Sequence, residues 1–546
     1  MSKTTDLIII GSGPGSTVLA SILAKNGIDV ILIDAAAHPR FAIGESTIPL
    51  TSAYLGLIAD RYGLPELKHL VDFDSVVSKV SAACGVKTNF GFVHHSGQRL
   101  PRRSDTHQLV LPGTFIGHES HFYRQDVDAF LLHSAINRGC RYMSRTFVQN
   151  IELEDDQVRV ETACGKKLSA RYLLDGSGIR SPFAKRFGLR QNPSRHMHNC
   201  RSMFTHMIGV KPYDDCVPDM GHEARWHQGT LHHVFRGGWL WVIPFNNHEK
   251  AVNPLVSVGL QLDPRVHPPR KVSPEVEFRE FISQFPSIAE QFRDARAARG
   301  WIRAPRVQVS SSGLLLKRMS LLSHSAGFTD PLYSRGLANT LEHIDALAWR
   351  LLDAFAEDDF SNERFAYLER LHQVTNDGND RVVHGSYVAF DDPRLWNAWI
   401  RLWAMGQAFG ELRVSMAHQK ALQTGDHAHY RSLEDPPHLG LLIPIFSRYE
   451  RLMDDAWAAL TAYRAEELTA EAAADRIFAS LSENHLGPPL LEIADRNKRN
   501  LIEFNRPSHI RAAVSWMTTA PPDLKGFHKD LLATTAKHLV RMPFRD

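Results

Sequence analysis

The fold is decided near the start of the chain by the stretch Leu7-Ile8-Ile9-Ile10-Gly11-Ser12-Gly13-Pro14-Gly15-Ser16. The apolar run from Leu7 to Ile10 is short and rich in β-branched residues, as expected of a strand that is buried on both faces. A helical pattern follows and closes at Gly27, and a second apolar strand runs over 30–33. The segment therefore predicts a βαβ unit.

The glycines in this stretch indicate a dinucleotide site. Gly11 permits a tight turn, and Gly13 lets a pyrophosphate approach the backbone at the N-terminus of the helix. Ser16 replaces the third glycine of the fingerprint but is small, and Asp34 lies at the spacing that suits ribose hydroxyls. Gly-rich corners without a ligand also exist, but the full context favours binding. The predicted contacts are Gly11, Gly13, Pro14, Gly15, Ser16 and Asp34.

Composition excludes several classes of protein. The chain has 546 residues, enough for two or more domains, and a net charge of +3 without a basic stripe, which argues against nucleic acid or a membrane surface as a partner. No segment is typical of a signal peptide or a membrane span. Without CxxC spacing, the cysteines predict neither a metal site nor disulfides, and a reducing cytoplasm is expected. They are Cys84, Cys140, Cys164, Cys200 and Cys216.

Three later segments offer further cofactor contacts. The loop 38–49 follows Asp34; Arg40 could neutralise a phosphate, and the backbone at Ser46 and Thr47 could lie along a flavin, although a surface connection is the alternative. Arg124, at the start of a predicted helix, could reach a phosphate or ring edge, or form a helix-end ion pair. Asp175 precedes Gly-Ser-Gly after a strand and could meet the ribitol and pyrophosphate. No second Gly-x-Gly-x-x-Gly follows a strand downstream, so a separate nicotinamide-binding domain is not expected.

Two lysines are candidates for a reactive amine. The alternation over 81–92 is weakly consistent with one strand, in which Lys87 shares a face with Asn89 while Phe90 lies on the other face. A lone lysine on a strand is usually solvated, and the residues alone do not separate Lys87 from Lys79.

Downstream, the strand Gly238-Trp239-Leu240-Trp241-Val242-Ile243-Pro244 places both tryptophans on one face, and Pro244 ends it. Such pairs are most often core packing. Here, however, Trp-x-Trp-x-Ile-Pro follows an FAD fingerprint, and the sequence resembles the flavin-dependent halogenases up to about residue 410. Segments sharing the resemblance are 11–16, 44–46, Arg124 with Asp128, the Asp175 corner and 327–337. The similarity is closest to halogenases of small free phenols, of the phloroglucinol type.

The resemblance implies an α/β fold: an FAD-binding Rossmann-like domain of the aromatic-hydroxylase type with a β-rich substrate region over 1–340, and a helical region over 341–546 covering the substrate pocket. It implies an enzyme of secondary-metabolite biosynthesis. The enzyme would use FADH2, O2 and chloride or bromide to make hypohalous acid and halogenate a small electron-rich phenol. A separate NAD(P)H-dependent flavin reductase would supply FADH2. The rivals are an FAD-dependent aromatic hydroxylase and an inactive FAD-binding scaffold.

The resemblance also implies residue roles. Lys87, with an aromatic three residues later, matches the family lysine better than Lys79; it would hydrogen-bond the hypohalite or carry the halogen as a haloamine. The tryptophan strand would separate flavin from substrate through Trp239, Trp241, Ile243 and Pro244. Asp330 would contact the cofactor. The backbone at Ser334, Arg335 and Gly336 would hold the halide.

One position departs from the tryptophan halogenases, which carry a carboxylate where this chain has Tyr333. A phenol activates its own ring, so Tyr333 favours a phenolic substrate over indole. Another residue could supply the missing charge, and the neighbouring His94 and His95 are open candidates.

The chain turns helical beyond about Leu341, with Thr469 as the N-cap of a late helix. Core packing is expected of the helically spaced Trp396, Trp399 and Trp403. Two proline pairs after about Pro488 predict surface loops.

Overall fold

The computed structural model describes residues 4–110, 117–435, 446–484, 492–501 and 521–522. Its strands are β1 (Thr5–Ile10), β2 (Val30–Ile33), β3 (Gly85–Lys87), β4 (Asn89–His95), β5 (Thr106–Val110), β6 (Glu119–His121), β7 (Arg141–Met143), β8 (Val148–Leu153), β9 (Val158–Thr162), β10 (Lys167–Asp175), β11 (Arg201–Ile208), β12 (Gly229–Phe235), β13 (Gly238–Pro244), β14 (Val256–Leu262), β15 (Arg296–Ala297), β16 (Ile302–Ala304), β17 (Leu315–Leu316), β18 (Met319–Leu321) and β19 (Asn500–Leu501). Its α-helices are Pro14–Lys25, Pro49–Tyr62, Phe73–Lys79, Arg124–Asn137, Pro182–Arg186, Pro274–Ile282, Pro286–Gln291, Ser323–Ala326, Gly336–Glu357, Asn362–Ala389, Pro393–Thr424, Ala428–Arg431, Phe446–Arg464 and Ala470–Asn484.

The predicted βαβ unit is confirmed. β1 pairs in parallel with β2 on one side and with β10 on the other, and the helix Pro14–Lys25 connects β1 to β2. The sheet runs β17-β18-β10-β1-β2-β7, with β9 on β10 and β8 on β9. Leu7, Ile8 and Ile9 are fully buried because β1 lies in the middle of the sheet with both faces covered.

A second, nine-stranded sheet carries the tryptophans. Its order is β15-β11-β14-β13-β12-β4-β5-β19, with β16 also on β11. The tryptophan strand β13 is central and every residue in it is buried. The last strand, β19, pairs in parallel with β5 and forms one edge of the sheet.

The prediction of one continuous strand over 81–92 is wrong. β3 pairs with β6 in a separate two-stranded sheet, whereas β4 pairs with β5 and β12. The chain changes sheets at Thr88, whose N–H and hydroxyl both donate to the carbonyl of Gln228. Because the alternation is interrupted there, Lys87 and Phe90, expected on opposite faces, meet in space.

Long helices dominate the described residues beyond Gly336. Thr469 caps the helix Ala470–Asn484 as expected, with its hydroxyl accepting from the Ala472 N–H at 3.1 Å. Trp396 and Trp399 are fully buried in the helix Pro393–Thr424, which packs on the helix Pro49–Tyr62. The division at residue 340 stays a prediction. The predicted loop at Pro488-Pro489 lies outside the described residues.

No helix within the described ranges is long and apolar enough to cross a membrane. All five cysteines carry free thiols.

Candidate active site

The turn after β1 leaves room for a ligand beside the first helix. Gly11 has a φ of +89°, and a Cβ there would lie 2.4 Å from the Gly176 carbonyl oxygen, so only glycine fits. A Cβ on Gly13 would instead meet nothing closer than the Arg40 guanidinium at 4.0 Å. The helix begins at Pro14, so its free N–H groups point toward this open space.

Polar groups beside this space suit an adenine dinucleotide. Asp34 ends β2 and accepts hydrogen bonds from the Ser12 N–H at 2.8 Å and hydroxyl at 2.5 Å. Arg40 lies 3.7 Å from the same carboxylate, and its buried Nε has no hydrogen-bond partner within the described part of the chain. A donor without an acceptor next to a helix N-terminus is an arrangement that fits a phosphate.

Gly15 and Ser16 serve the packing of the first helix. A Cβ on Gly15 would lie 2.7 Å from Thr340 Cγ2, on the helix Gly336–Glu357. The Ser16 hydroxyl would lie 2.2 Å from a Cβ on Gly176. Small residues at these positions let the helix approach its neighbours closely, and a direct contact of either with a cofactor stays a prediction.

Arg124 ties the loop 38–49 to the helix that it begins. Its guanidinium pairs with Asp128 at 2.6 Å and donates to the carbonyls of Ile43 at 2.6 Å and Gly44 at 3.0 Å. The ion pair is therefore present, together with a contact that fixes the loop, and the contact with a phosphate or ring edge stays a prediction.

The carboxylates of Asp175 and Asp330 are both engaged by the protein. Asp175 accepts from the Ser177 N–H at 2.9 Å and hydroxyl at 2.5 Å, at the corner that follows β10. Asp330 accepts from the Leu332 N–H at 2.9 Å and lies 3.2 Å from His198 Nε2. Their roles toward a cofactor stay predictions.

The predicted halide segment leads into a long helix. Ser334 has a left-handed φ of +52°, and its N–H donates to the Pro331 carbonyl. Arg335 precedes the helix Gly336–Glu357; burial lowers the pKa of its guanidinium, which donates to Asn379 at 2.9 Å. The segment borders a cleft that is also lined by Asp330, His324 and Asn339. His324, which no sequence pattern indicated, also borders Gly336: its imidazole lies 3.2 Å from a Cβ built on that glycine.

Lys87 is fully buried. Its ammonium nitrogen donates to the Ser46 hydroxyl at 2.9 Å and the Thr47 carbonyl at 2.5 Å, and lies 4.3 Å from the centre of the Phe90 ring. Lys79, by contrast, is exposed at the end of the helix Phe73–Lys79. The structure thus separates two lysines that the residues alone left equal, and it places the predicted cofactor residues Ser46 and Thr47 against the amine.

No sequence pattern indicates the buried carboxyl group of Glu119 beside Lys87, or the half-buried one of Glu411 near Glu119. Burial lowers the pKa of Lys87 to about 7, opposed by the charge of Glu119, its cross-strand partner in the β3–β6 ribbon. Burial raises the pKa of Glu119, and burial together with Glu119 raises the pKa of Glu411 to about 8. No local pattern could reveal this cluster, because strand pairing and a distant helix assemble it.

The tryptophans form part of a continuous row of aromatic rings. Trp239 and Trp241 are buried, as are Ile243 and Pro244, and successive ring centroids along the row are 4.5–6.5 Å apart. In order, the row consists of Phe41, Phe204, Trp241, Trp239, His232 and Phe90. It runs from the loop after Asp34 to the ring beside Lys87, with the tryptophans in the middle.

Tyr333 is buried and fixed by its neighbours. Its hydroxyl lies 2.6 Å from the Ser386 hydroxyl, and its ring stacks on Trp403 with centroids 4.5 Å apart. The ring centroid of Trp403 in turn lies 5.2 Å from that of Phe90. The helix Pro393–Thr424 therefore lies over the region that contains Lys87.

The neighbouring histidines contact other parts of the sheet. His94 Nε2 lies 2.9 Å from the Phe390 carbonyl, and His95 Nε2 lies 2.9 Å from His233 Nδ1. The carboxyl group whose charge acts on Lys87 is that of Glu119, its cross-strand partner.

Comparison with known proteins gives close relatives over nearly the whole chain, although no protein-family model matches it. The chain is 45% identical to the monodechloroaminopyrrolnitrin halogenase PrnC of Pseudomonas fluorescens, over 96% of this chain and 94% of that protein. It is 45% identical to the tetracycline 7-halogenase of Kitasatospora aureofaciens, over 98% and 96%. The solved structure of the halogenase PltM with phloroglucinol and FAD matches with a TM-score of 0.88 at 32% identity, covering 91% of this chain and 100% of that chain.

Proposed function

The chain belongs to the flavin-dependent halogenase family, and we propose from that premise that it halogenates a small, electron-rich phenol with Lys87 as the reactive amine. Such enzymes use FADH2, O2 and a halide ion; reduced FAD, when bound, would supply with O2 the oxidation of halide to hypohalous acid. The observation that carries the proposal is the fully buried Lys87, held by two hydrogen bonds at one end of the aromatic row.

Lys87 is suited to intercept hypohalous acid. A lysine with a pKa of about 7 has a substantial neutral fraction at neutral pH, and only the neutral amine has a lone pair to attack the halogen. Exposed lysines, with pKa values near 10.4, are almost entirely protonated under the same conditions. Burial thus prepares Lys87 for this reaction while excluding water that would compete for the oxidant.

Trp239, Trp241, Ile243 and Pro244 form the barrier between the flavin and the substrate. The support for this role is their burial in the middle strand of the sheet and the position of both tryptophans between the loop after Asp34 and Phe90. Such a barrier keeps the phenol out of reach of direct oxygen transfer, so halogenation replaces hydroxylation.

The residues at the first helix would hold the adenine dinucleotide part of FAD. Gly13 leaves the approach open, Asp34 would accept from ribose hydroxyls, and Arg40 has a free donor for a phosphate. Arg124 would position the loop 38–49. The halide would bind near Gly336, where the N-terminus of a 22-residue helix favours an anion.

The phenolic substrate is supported by Tyr333 and by a relative. Tyr333 offers no carboxylate to stabilise a cationic ring, and a phenol needs less of this help than indole does. The related PltM has been solved with phloroglucinol. PrnC and the tetracycline halogenase are named for larger substrates, so monodechloroaminopyrrolnitrin and tetracycline belong in the same substrate panel.

A separate NAD(P)H-dependent flavin reductase would supply FADH2, since the sequence has no second dinucleotide fingerprint. Dependence on this partner and the five unpaired cysteines favour a reducing cytoplasm.

The proposal is tested by incubating the protein with a flavin reductase, NADH, O2 and chloride or bromide, and by mass spectrometry of the products from the panel. A halogenated phenol supports it. A product that gains oxygen without halogen indicates the hydroxylase, and unchanged substrates indicate the inactive scaffold.

Lys87→Ala and Lys79→Ala are compared in the same assay, with bound flavin measured by absorbance. The expected result is loss of halogenation in Lys87→Ala alone, because Lys79 is exposed. Halogenation at the parental rate by a flavin-loaded Lys87→Ala protein would remove Lys87 from the mechanism.

A further inference from the structure

A chain of four hydrogen bonds connects the end of the tryptophan strand to the amine of Lys87. His121 Nδ1 lies 2.8 Å from the Pro244 carbonyl oxygen, and His121 Nε2 lies 3.0 Å from the Thr230 hydroxyl. The Thr230 hydroxyl lies 2.8 Å from that of Ser46, which accepts from Lys87 Nζ at 2.9 Å. All five residues are buried.

The direction of every bond in this chain is fixed by the Pro244 carbonyl. A carbonyl oxygen only accepts, so the proton of neutral His121 is on Nδ1 and its Nε2 must accept. Burial and the charge of Lys87 lower the pKa of His121 to about 3, so the imidazole is neutral. The Thr230 hydroxyl therefore donates its single proton to His121 Nε2, and its oxygen accepts from the Ser46 hydroxyl.

These directions fix how the Ser46 hydroxyl faces the amine of Lys87. The Ser46 hydroxyl donates to Thr230 at 2.8 Å, with the Thr47 carbonyl as a more distant acceptor at 3.5 Å, so only its oxygen faces Lys87 and accepts from the amine. A free hydroxyl could instead turn round and donate to the lone pair of a neutral amine, which would block that lone pair.

We propose that His121 and Thr230 are positioning residues that keep the lone pair of neutral Lys87 free for the halogen. This inference rests on the proposed role of Lys87 and selects the haloamine over a simple hydrogen bond to hypohalite. With two N–H groups donated to Ser46 and Thr47, one tetrahedral position of the nitrogen remains for the lone pair.

The step balances with hypohalous acid as the only co-reactant. The lone pair of the amine attacks the halogen, an N–X bond forms, the O–X bond breaks, and the departing hydroxide takes a proton from nitrogen to give water. The haloamine then gives its halogen to the phenol ring as a cation equivalent. The ring proton is released, and the amine regains a proton.

Thr230→Val tests the inference, since valine keeps the shape but removes the hydroxyl. We expect kcat for halogenation to fall on the order of tenfold, the value of one ordinary hydrogen bond, with KM unchanged. FADH2-dependent O2 consumption should stay at the parental rate. The acid limb of the pH profile should move to lower pH, because a Ser46 hydroxyl that donates to the neutral amine stabilises that form.

Three further variants test whether the effect of Thr230→Val comes from loss of the hydrogen-bond chain. Thr230→Ser retains the hydroxyl and should restore activity. Thr205→Val removes a buried hydroxyl from the same sheet that donates to the Arg299 carbonyl at 2.9 Å, and should behave like the parent. His121→Leu removes the acceptor at the other end of the chain and should reproduce the loss, even if Thr230→Val fails to fold.

A flavin-loaded Thr230→Val or His121→Leu protein with the parental kcat and pH profile would overturn the inference. Lys87→Ala is assayed in parallel, so that failure of the hydrogen-bond chain is distinguished from failure of the proposed role of Lys87. If Lys87→Ala is inactive while Thr230→Val is fully active, only the positioning chain is wrong. If Lys87→Ala is active, the role of Lys87 is wrong as well.

Discussion

Replacing Lys87 by methionine should make the protein more stable in acid while abolishing halogenation. Methionine has a similar length but no charge, so it removes the penalty of burying an ammonium group. The pKa of Lys87 falls from 10.5 to about 7 on folding. At about 1.36 kcal/mol for each pKa unit, the protonated amine destabilises the native state by about 5 kcal/mol.

The sign of this effect depends on pH. Because the folded pKa lies below the unfolded one, the folded state binds fewer protons between pH 7 and 10.5, and stability falls as the pH drops through that window. The penalty is complete below about pH 7 and absent above about 10.5. Removing this penalty is offset in part, because methionine leaves the Ser46 and Thr47 acceptors without a donor. The lost hydrogen bonds lower the free energy of unfolding by about 3 kcal/mol.

Relative to the parent, the free energy of unfolding of Lys87→Met should be higher by about 2 kcal/mol at about pH 6 and lower by about 2 kcal/mol at about pH 9.5. For a chain of 546 residues, 1 kcal/mol corresponds to about 1 °C in Tm. Thermal unfolding of the parent, Lys87→Met and the exposed control Lys79→Met at both pH values measures the difference. A Lys87→Met Tm difference that does not change with pH would refute the electrostatic reasoning.

Four other outcomes follow from the site. The kcat for halogenation should rise through about pH 7 as Lys87 deprotonates. In Glu119→Gln this rise should occur at lower pH, because the substitution removes the charge that raises the lysine pKa. Profiles of kcat against pH for both proteins measure the two effects. Gly13→Ala should fold normally but bind FAD at least about tenfold more weakly in a flavin titration. Gly15→Ala should lower stability by about 1–3 kcal/mol in thermal unfolding because its Cβ meets Thr340. Trp241→Ala should retain FAD but yield less halogenated or some hydroxylated phenol, measured by mass spectrometry; a product distribution like the parent's would reduce the tryptophan to core packing.

The sequence predicted those parts of the fold that depend on local pattern. The βαβ unit was readable because a β-branched run, a glycine turn and a helical period are contiguous in the chain. The Thr469 cap and the buried Trp396 follow from equally local signals.

Long-range pairing was not readable from the sequence. The sheet change at Thr88 depends on the carbonyl of Gln228, and alternation counted along the chain cannot detect it. The same pairing brings Glu119 opposite Lys87. The residues that set the acid–base state of the amine therefore became visible only with coordinates, although the lysine itself was predicted.

The short strand β19 also decides where the chain can be shortened. Asn500 and Leu501 cover the outer edge of β5, and the Arg499 carbonyl accepts from the Gln108 N–H at 2.9 Å. A protein cut before Asn500 for crystallisation would present β5 as an open template for strand addition by other copies. Such truncated protein should aggregate on concentration more than protein that retains Asn500 and Leu501.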